Sequence, residues 1–468
     1  MLPKRFSVIF SLVFLFFTAS QSFVLGQKLS GVQNYAMNRP GVVMIKTVFS
    51  ADVYVNKMTM DDRNFNHLLD SLQRIDSSGA VFTPEEKLNI VLKEINNNPN
   101  RFFKATLDYI RQPEEITSSG TGFFITGDGY VATNCHLIDR ENSFVRRQFI
   151  LTAFQQITEA NIAALESSWA TTFTEPQRNL LYNTYGSVYS RLFSMVLYGL
   201  KKDIYVVYSA DSKDTSATGQ KKSAAVVIKG MAMPGKDIAI LKIDGDSSLP
   251  TLKIAGNQLP KVGEQLFVYG YPGPVTNNNF LAVESAIEPT LTTGIVSALK
   301  KSVEGWPLIQ MDANINRGSS GGPVCNDKGE VIGLTTFGSI ENTGGLAAGL
   351  NFAIPVSILN EYLDTAGIIP AISRASTLFS KGVIAFEKEN YREALSLFKD
   401  VKKLNQNYPG LNGYISNCME YIQKDKTKDA ALVWYDLLGF SILLVVAVIL
   451  FMILKRANFK KLHSDSAA

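Results

Sequence analysis

A glycine-rich segment, residues 317–323, contains serines that could act as a nucleophile. It reads Arg-Gly-Ser-Ser-Gly-Gly-Pro. A serine hydroxyl needs a base to remove its proton, and the oxyanion formed by its attack needs hydrogen-bond donors. Because glycine tolerates backbone conformations that turn N–H groups inward, we predict Ser320, directly before Gly-Gly-Pro, as the nucleophile. The N–H groups of Gly318 and Ser320 would form the oxyanion hole. Taken alone, the glycines also fit a plain tight turn.

Three histidines, His67, His136 and His463, are available as the base that such a serine requires. His463 lies in a basic C-terminal tail, and His67 lies on a polar segment with helical spacing. Elimination leaves His136, at the end of the strand-like stretch Ala-Thr-Asn-Cys-His. The alternative for a single histidine is a structural role.

Asp237 is the candidate for the carboxylate that orients the imidazole. Such a carboxylate should be buried and hydrogen-bonded to the ring. Asp237 opens the apolar strand Asp-Ile-Ala-Ile-Leu, and a charge at the edge of such a run must find a partner or stay in water. A solvated aspartate at a strand end is the alternative.

Taken in the chain order His, Asp, Ser, these segments resemble the HtrA/Deg branch of the trypsin-like peptidases. That family shows Thr-Asn-x-His, a strand of the type Asp-Ile-Ala-Val-Leu, and Gly-Asn-Ser-Gly-Gly. The resemblance covers about residues 40–56 and 117–360. Further matching segments lie at 120–123, 294–297, 312–316 and 351–355.

The resemblance implies a double β-barrel and a Ser–His–Asp acyl-enzyme mechanism, with no metal and no organic cofactor. It also places Ile315 in a small apolar pocket for the residue before the cleaved bond. Two features depart from the family pattern. Ser319 replaces the usual asparagine. The sequence separation between His136 and Asp237 is also much longer than in the family. No PDZ domain follows, which puts the family's peptide sensing and cage assembly in doubt.

The composition excludes some other classes of protein. The chain has 468 residues, 46% of them hydrophobic, which predicts about three folded units. Its net charge of +4 is too mild to indicate a nucleic-acid partner. Three cysteines, Cys135, Cys325 and Cys418, are too few for a disulfide scaffold. A Cys135–Cys325 bridge is possible, and three small buried thiols are the simpler prediction.

The pattern between the chain ends predicts a mainly β fold. Many short strands with no alternating helices favour a trypsin-like double β-barrel over residues 27–370. Helical spacing at about 57–115 and 142–200 predicts two helical insertions. Residues 371–426 are amphipathic and match the spacing of one tetratricopeptide repeat, although an unrelated helical hairpin fits nearly as well. We expect a small α-helical (TPR-like) module there.

Both chain ends carry apolar stretches. Residues 1–26 begin with Lys4 and Arg5 before an apolar run, which predicts a secretory signal peptide, with an uncleaved anchor as the alternative. Residues 437–454 lack charge and precede a basic tail, 455–468. This predicts one transmembrane helix with a cytoplasmic tail and an extracytoplasmic protease domain, periplasmic in a Gram-negative cell.

These patterns together predict a membrane-anchored serine endopeptidase that cleaves exported or envelope polypeptides in protein quality control or regulated proteolysis. The helical module could support a homo-oligomer or hold a partner protein. The alternative is a catalytically silent or latent protein of the same fold that acts as a membrane-anchored binding or scaffold protein.

Overall fold

The fold is available as a computed structural model. It describes residues 28–77, 82–139, 142–192, 195–209, 219–244, 248–273, 287–340 and 346–424, together with 438, 441–446 and 448–449.

Six antiparallel strands close into the first barrel. They are β1 Val42–Met60, β2 Phe103–Phe124, β3 Tyr130–Thr133, β4 Val196–Tyr208, β5 Gln220–Lys229 and β6 Ala239–Ile243. The closed order is β1–β2–β3–β6–β5–β4. Alternate side chains, among them Val43, Val131 and Leu241, fill the interior, as the period of two in a strand requires. Thr133 pairs with Ala239, so the segment after β3 lies beside the segment before β6.

Seven strands form the second sheet. They are β7 Lys253–Ile254, β8 Gln265–Gly270, β9 Thr290–Lys301, β10 Pro307–Met311, β11 Pro323–Cys325, β12 Glu330–Ile340 and β13 Leu346–Pro355. Their order is β11–β8–β9–β10–β13–β12–β7, and an added pairing of β11 with β12 closes six of them into a ring. Val324 of β11 pairs with Val268 on one side and with Gly333 on the other. This double pairing fixes the glycine-rich segment that precedes β11.

Helices occupy more of the chain than the sequence pattern predicts. The described helices are α1 Gly31–Asn38, a 3₁₀ turn Arg39–Gly41, α2 Asp62–Ser77, α3 Pro84–Asn97, α4 Pro99–Phe102, α5 Cys135–Ile138, α6 Asn142–Ser168, α7 Glu175–Leu192, α8 Val356–Ala366, α9 Arg374–Glu387, α10 Tyr391–Leu404 and α11 over 411–424, with further helical residues at 438, 441–446 and 448–449. The structure is 43% helical and 32% strand. The prediction of a mainly β fold is therefore wrong, because it gave the barrels too much weight against the helices inserted between their strands.

The first insertion is built on strand as well as on helix. β1 and β2 continue past the barrel and stay paired from Asn56 with Tyr109 to Met60 with Phe103. One face of this extended hairpin, including Val53 and Val55, is buried. Helices α2, α3, α6 and α7 cover that face and share one apolar core with it. The segment 57–115, predicted to be helical, therefore also contains strand residues, whose buried face is covered by the helices.

The C-terminal helices are joined by a buried polar network to the segment that links the two barrels. The Ser376 hydroxyl of α9 accepts a hydrogen bond from the N–H of Thr251 at 2.8 Å. The Tyr408 hydroxyl also donates to Ser376 at 3.3 Å, and Ser373 N–H donates to the Thr251 hydroxyl at 2.8 Å. Each of these residues is buried. Membership of this helical module in the tetratricopeptide class stays a prediction.

Within the described parts of the chain, none of the helices combines the length and the apolar character needed to cross a bilayer. This finding contradicts the predicted transmembrane helix at 437–454 and the single-pass membrane localisation. The predicted signal peptide 1–26 and cytoplasmic tail 455–468 lie outside the described residues.

Candidate active site

His136 and Asp237 meet where β3 ends and β6 begins. The imidazole Nδ1 lies 2.6 Å from Asp237 Oδ2, and the backbone N–H of His136 donates to Oδ1 at 2.8 Å. An ionised carboxylate only accepts hydrogen bonds, so this contact places the proton of a neutral imidazole on Nδ1. The Nε2 atom is left as a base. The side chain of His136 is 32% exposed, whereas that of Asp237 is fully buried.

The Asp237 carboxylate is held from a third direction by Thr336. The Thr336 hydroxyl donates to Asp237 Oδ2 at 3.0 Å. The side-chain amide of Asn134 donates to the Asp237 carbonyl oxygen at 2.8 Å. The Thr336 bond and the two bonds from His136 compensate a buried charge that would otherwise be costly, and the Asn134 bond fixes the backbone that carries the carboxylate.

Ser320 joins the pair through Thr336. Its hydroxyl donates to the Thr336 carbonyl oxygen at 2.9 Å, and its own carbonyl oxygen accepts from the N–H of Thr121 at 2.8 Å. Of the three predicted residues, the structure thus brings His136 and Asp237 into direct contact. Ser320 shares Thr336 with Asp237, and its hydroxyl proton is directed at a carbonyl oxygen.

The turn before Ser320 depends on Gly318. This residue has φ +98°, and a Cβ there would lie 2.3 Å from the Tyr271 carbonyl oxygen. The Thr121 hydroxyl donates to the Gly318 carbonyl at 2.7 Å and accepts from the N–H of Tyr271 at 3.0 Å. Among the described residues, no protein acceptor takes the N–H of Gly318 or of Ser320. Both predicted oxyanion donors are therefore uncommitted in this part of the chain.

Ile315, the predicted pocket residue, is 8% exposed and packs into the core of the second barrel. The adjoining backbone is fixed from two sides. Asn351 donates to the Ala313 carbonyl at 2.8 Å, and Thr292 donates to the Asn314 carbonyl at 2.9 Å. Little of the Ile315 side chain reaches the surface, so its role in a pocket stays a prediction.

Cys135 precedes the histidine without being a second nucleophile. Its thiol is buried and donates to the Gly230 carbonyl at 3.1 Å. Burial, and then the negative charge of Asp237, raise the pKa of Cys135 to about 11, so the thiol stays protonated and inert near neutral pH. All three cysteines are free and buried. Within the described ranges, no group of His, Cys, Asp and Glu side chains could hold a metal ion.

Sequence reasoning missed Thr336 and Thr121. Neither lies in a segment rich in chemical groups, and each acts through a hydrogen bond to a residue more than 90 positions away. The structure shows the reason: Thr336 lies in β12, which pairs with β11, the strand that follows Ser320. Strand pairing brings such residues to the site, and it cannot be seen along the chain.

Thr336 offers a direct test of how much the orientation of Asp237 matters. We predict that Thr336→Val lowers kcat/KM for a peptide substrate by roughly 10- to 100-fold, because a hydrogen bond to a charged group is lost. The substitution keeps the side-chain volume and the carbonyl that faces Ser320. Thr336→Ser restores the hydroxyl and should recover most of the rate. Equal rates for the valine variant and the unchanged chain would contradict the role of this hydroxyl.

Comparison with known proteins agrees with the geometry. Residues 200–334 match the family described as trypsin-like peptidase domain. That range includes Asp237 and Ser320, and His136 lies before it. A protein of Pseudomonas putida described as a probable periplasmic serine endoprotease, DegP-like, is 38% identical over 128 residues. These residues are 27% of this chain and 24% of that protein.

Two longer overlaps have lower identity. A DegP-like protein of Hahella chejuensis is 27% identical over 266 residues, covering 55% of this chain and 38% of its own length. The solved serine endoprotease from Yersinia pestis is 19% identical, with TM-score 0.33, over 73% of this chain and 68% of that one. This last superposition is too loose to support an inference.

The matched part of the chain covers only about a quarter to less than two fifths of the length of these curated relatives. The family match and these relatives agree on one kind of domain. Within residues 200–334 the chain is similar to a trypsin-like peptidase domain, and the relatives that it resembles are described as DegP-like serine endoproteases.

Proposed function

We propose that this protein is a serine endopeptidase that cleaves polypeptides through a Ser–His–Asp acyl-enzyme mechanism. The observation that carries the proposal is the fully buried Asp237 carboxylate, which holds His136 by both its ring and its backbone. A carboxylate in such a position keeps the imidazole in the tautomer that can accept a proton, and it stabilises the imidazolium that forms.

The reaction begins when Ser320 Oγ turns from the Thr336 carbonyl toward Nε2 of His136. Nε2 takes the hydroxyl proton while Oγ attacks the peptide carbonyl, and the N–H groups of Gly318 and Ser320 hold the oxyanion. His136 then protonates the leaving amine as the C–N bond breaks. Water attacks the acyl-enzyme, gives a proton to His136, and the proton returns to Ser320 as the acid leaves.

A fluorophosphonate probe tests the assignment of the nucleophile. We expect the intact chain to be labelled at Ser320, as mapped by mass spectrometry, and to digest casein. Ser320→Ala should abolish both results. The matched control is Ser319→Ala, which removes the neighbouring buried hydroxyl and should retain labelling. Labelling that persists in Ser320→Ala, or that maps to Ser319, would refute the mechanism.

A second candidate function, a catalytically silent or latent binding protein, is favoured by one contact. The Ser320 hydroxyl donates to the Thr336 carbonyl, so its proton is not directed at the base in this conformation. The same probe separates the candidates. Labelling without casein digestion indicates an active enzyme of restricted specificity, and the absence of both indicates a silent or latent protein.

For specificity, we propose that the residue before the cleaved bond is small and apolar, such as Val, Ala or Leu. The segment from Ala313 to Ser320 contains no acidic side chain that could pair with a substrate Arg or Lys. Ile315 lies within this segment, on the side of the second barrel's core. A peptide library should therefore show apolar residues before the cut. A profile dominated by Arg and Lys would contradict the proposal.

The substrate class and compartment follow from the relatives. Their names describe periplasmic serine endoproteases, and we extend both the polypeptide substrate and the periplasmic setting to this chain, with protein quality control or regulated proteolysis as its role. The helical module from α9 to α11, TPR-like in its spacing, is the surface that we propose for a partner protein or a second copy. Size-exclusion chromatography with light scattering tests the second copy.

A further inference from the structure

The first insertion contains an open apolar groove, remote from His136 and Ser320. It has a volume of about 590 Å³, within the range of pockets that bind ligands. It is lined by residues of α2 and α3 and by Trp169, which directly follows α6. We propose that this groove binds an apolar stretch of the polypeptide substrate; the substrate class rests on the proposed function.

The groove has a fixed floor and an accessible rim. Leu72 and Val91 in the floor are 7% and 5% exposed and belong to the core of the insertion. Phe65 stacks on Trp169 with ring centroids 5.5 Å apart, which fixes one wall. Leu69 on the rim is 41% exposed. A side chain entering the groove would therefore meet apolar surface that is already in place.

The polar groups at the rim favour a peptide over a charged amphiphile. Lys87 forms an ion pair with Asp76, so neither charge is available to select a carboxylate or a phosphate head group. Gln73 is exposed, and its side-chain amide has no partner among the residues that the structure describes. An amide can both donate and accept, which matches the alternating groups of a passing backbone. The groove thus fits a neutral, apolar segment of unfolded chain.

The groove and the proposed active site lie at opposite ends of β2. Phe103 shares the core beneath the groove, and Thr121 at the other end of the strand holds Gly318 and Ser320. At about 3.3 Å per residue, this strand sets a separation of at most roughly 60 Å. A fully extended peptide of about ten residues reaches only roughly 35 Å, a little over half of that strand length, whereas an unfolded protein can span all of it. A long unfolded substrate can therefore contact both sites, whereas a short peptide reports on the proposed active site alone.

Leu69→Glu in the full-length chain tests the groove. The probe is fluorescently labelled casein, and its binding is followed by anisotropy on a Ser320→Ala background so that no cleavage occurs. Since the substitution places a charge where an apolar contact should form, we expect casein to bind about tenfold more weakly. With Ser320 present, KM for casein should rise similarly, and cleavage of a peptide of about ten residues should keep its kcat and KM.

The matched control is Leu151→Glu, the same change at a residue of α6 that is 48% exposed and does not line the groove. It should leave casein binding unchanged. Casein affinity equal in both variants would overturn the proposal, as would an equal effect of Leu69→Glu on the short peptide. Because binding is measured without turnover, failure of the groove is distinct from failure of the peptidase assignment, which the fluorophosphonate probe reports.

Discussion

Asp237→Asn is expected to lower kcat/KM by about 10⁴-fold while the chain stays folded. The asparagine carbonyl can still accept the backbone N–H of His136, a bond of 2.8 Å in the structure. Its NH₂ group would then face Nδ1 and the hydroxyl of Thr336. Because NH₂ donates, Nδ1 must become the acceptor and the ring proton moves to Nε2. The imidazole can then no longer take the proton of Ser320.

The control for this variant is Asp244→Asn, which makes the same chemical change at an exposed residue after β6. It should retain full activity. Both variants should keep the circular dichroism and thermal transition of the unchanged chain. An Asp237→Asn protein that is folded and retains more than about a tenth of its activity would remove the carboxylate from the mechanism.

Gly318→Ala is expected to lower kcat by roughly 100- to 1,000-fold, the usual effect of losing an oxyanion donor. A methyl group there would lie 2.3 Å from the Tyr271 carbonyl oxygen, on a residue with φ +98°. The turn must shift to relieve this collision, and the N–H groups of Gly318 and Ser320 shift with it. The rate of acylation by a chromogenic ester measures the effect.

Gly305→Ala separates the collision from simple backbone strain. Gly305 has φ +88°, and a Cβ there meets nothing within 4 Å. This variant carries comparable strain in the turn between β9 and β10, and it should keep its acylation rate. Equal losses in the two variants would show that the effect is general destabilisation rather than a displaced oxyanion hole.

The proposed site could be predicted from sequence only where chemistry and strand pattern coincide. His136 was found by elimination among three histidines, and Asp237 by its place at the start of an apolar strand. The structure places these two side chains in contact. Thr336 was missed because its importance arises from pairing between strands. The orientation of the Ser320 hydroxyl is a choice among side-chain rotamers, which no spacing rule can predict.

The fold was predicted only in part. The apolar alternation of the strands indicates the barrels, whereas the helical spacing within 57–115 predicts a helical insertion, which in the structure also contains the end of β1 and the start of β2. A strand that is covered by helices on one face and exposed on the other alternates as any barrel strand does, so its sequence does not show where the barrel ends and the insertion begins. The structure is 43% helical. Part of this helix forms the layer over β1 and β2, and that layer depends on contacts between segments that are distant in sequence.

The shared hydroxyl of Ser376 has a consequence for engineering this protein. A truncation ending near residue 370 would strip the N–H of Thr251 of its acceptor and would bare the apolar surface of Ala36 and Met37, which now pack on the helical module. Exposed apolar surface of this kind favours aggregation. The barrels are thus not separable from the helical module, and expression vectors should include the whole module, α9 to α11.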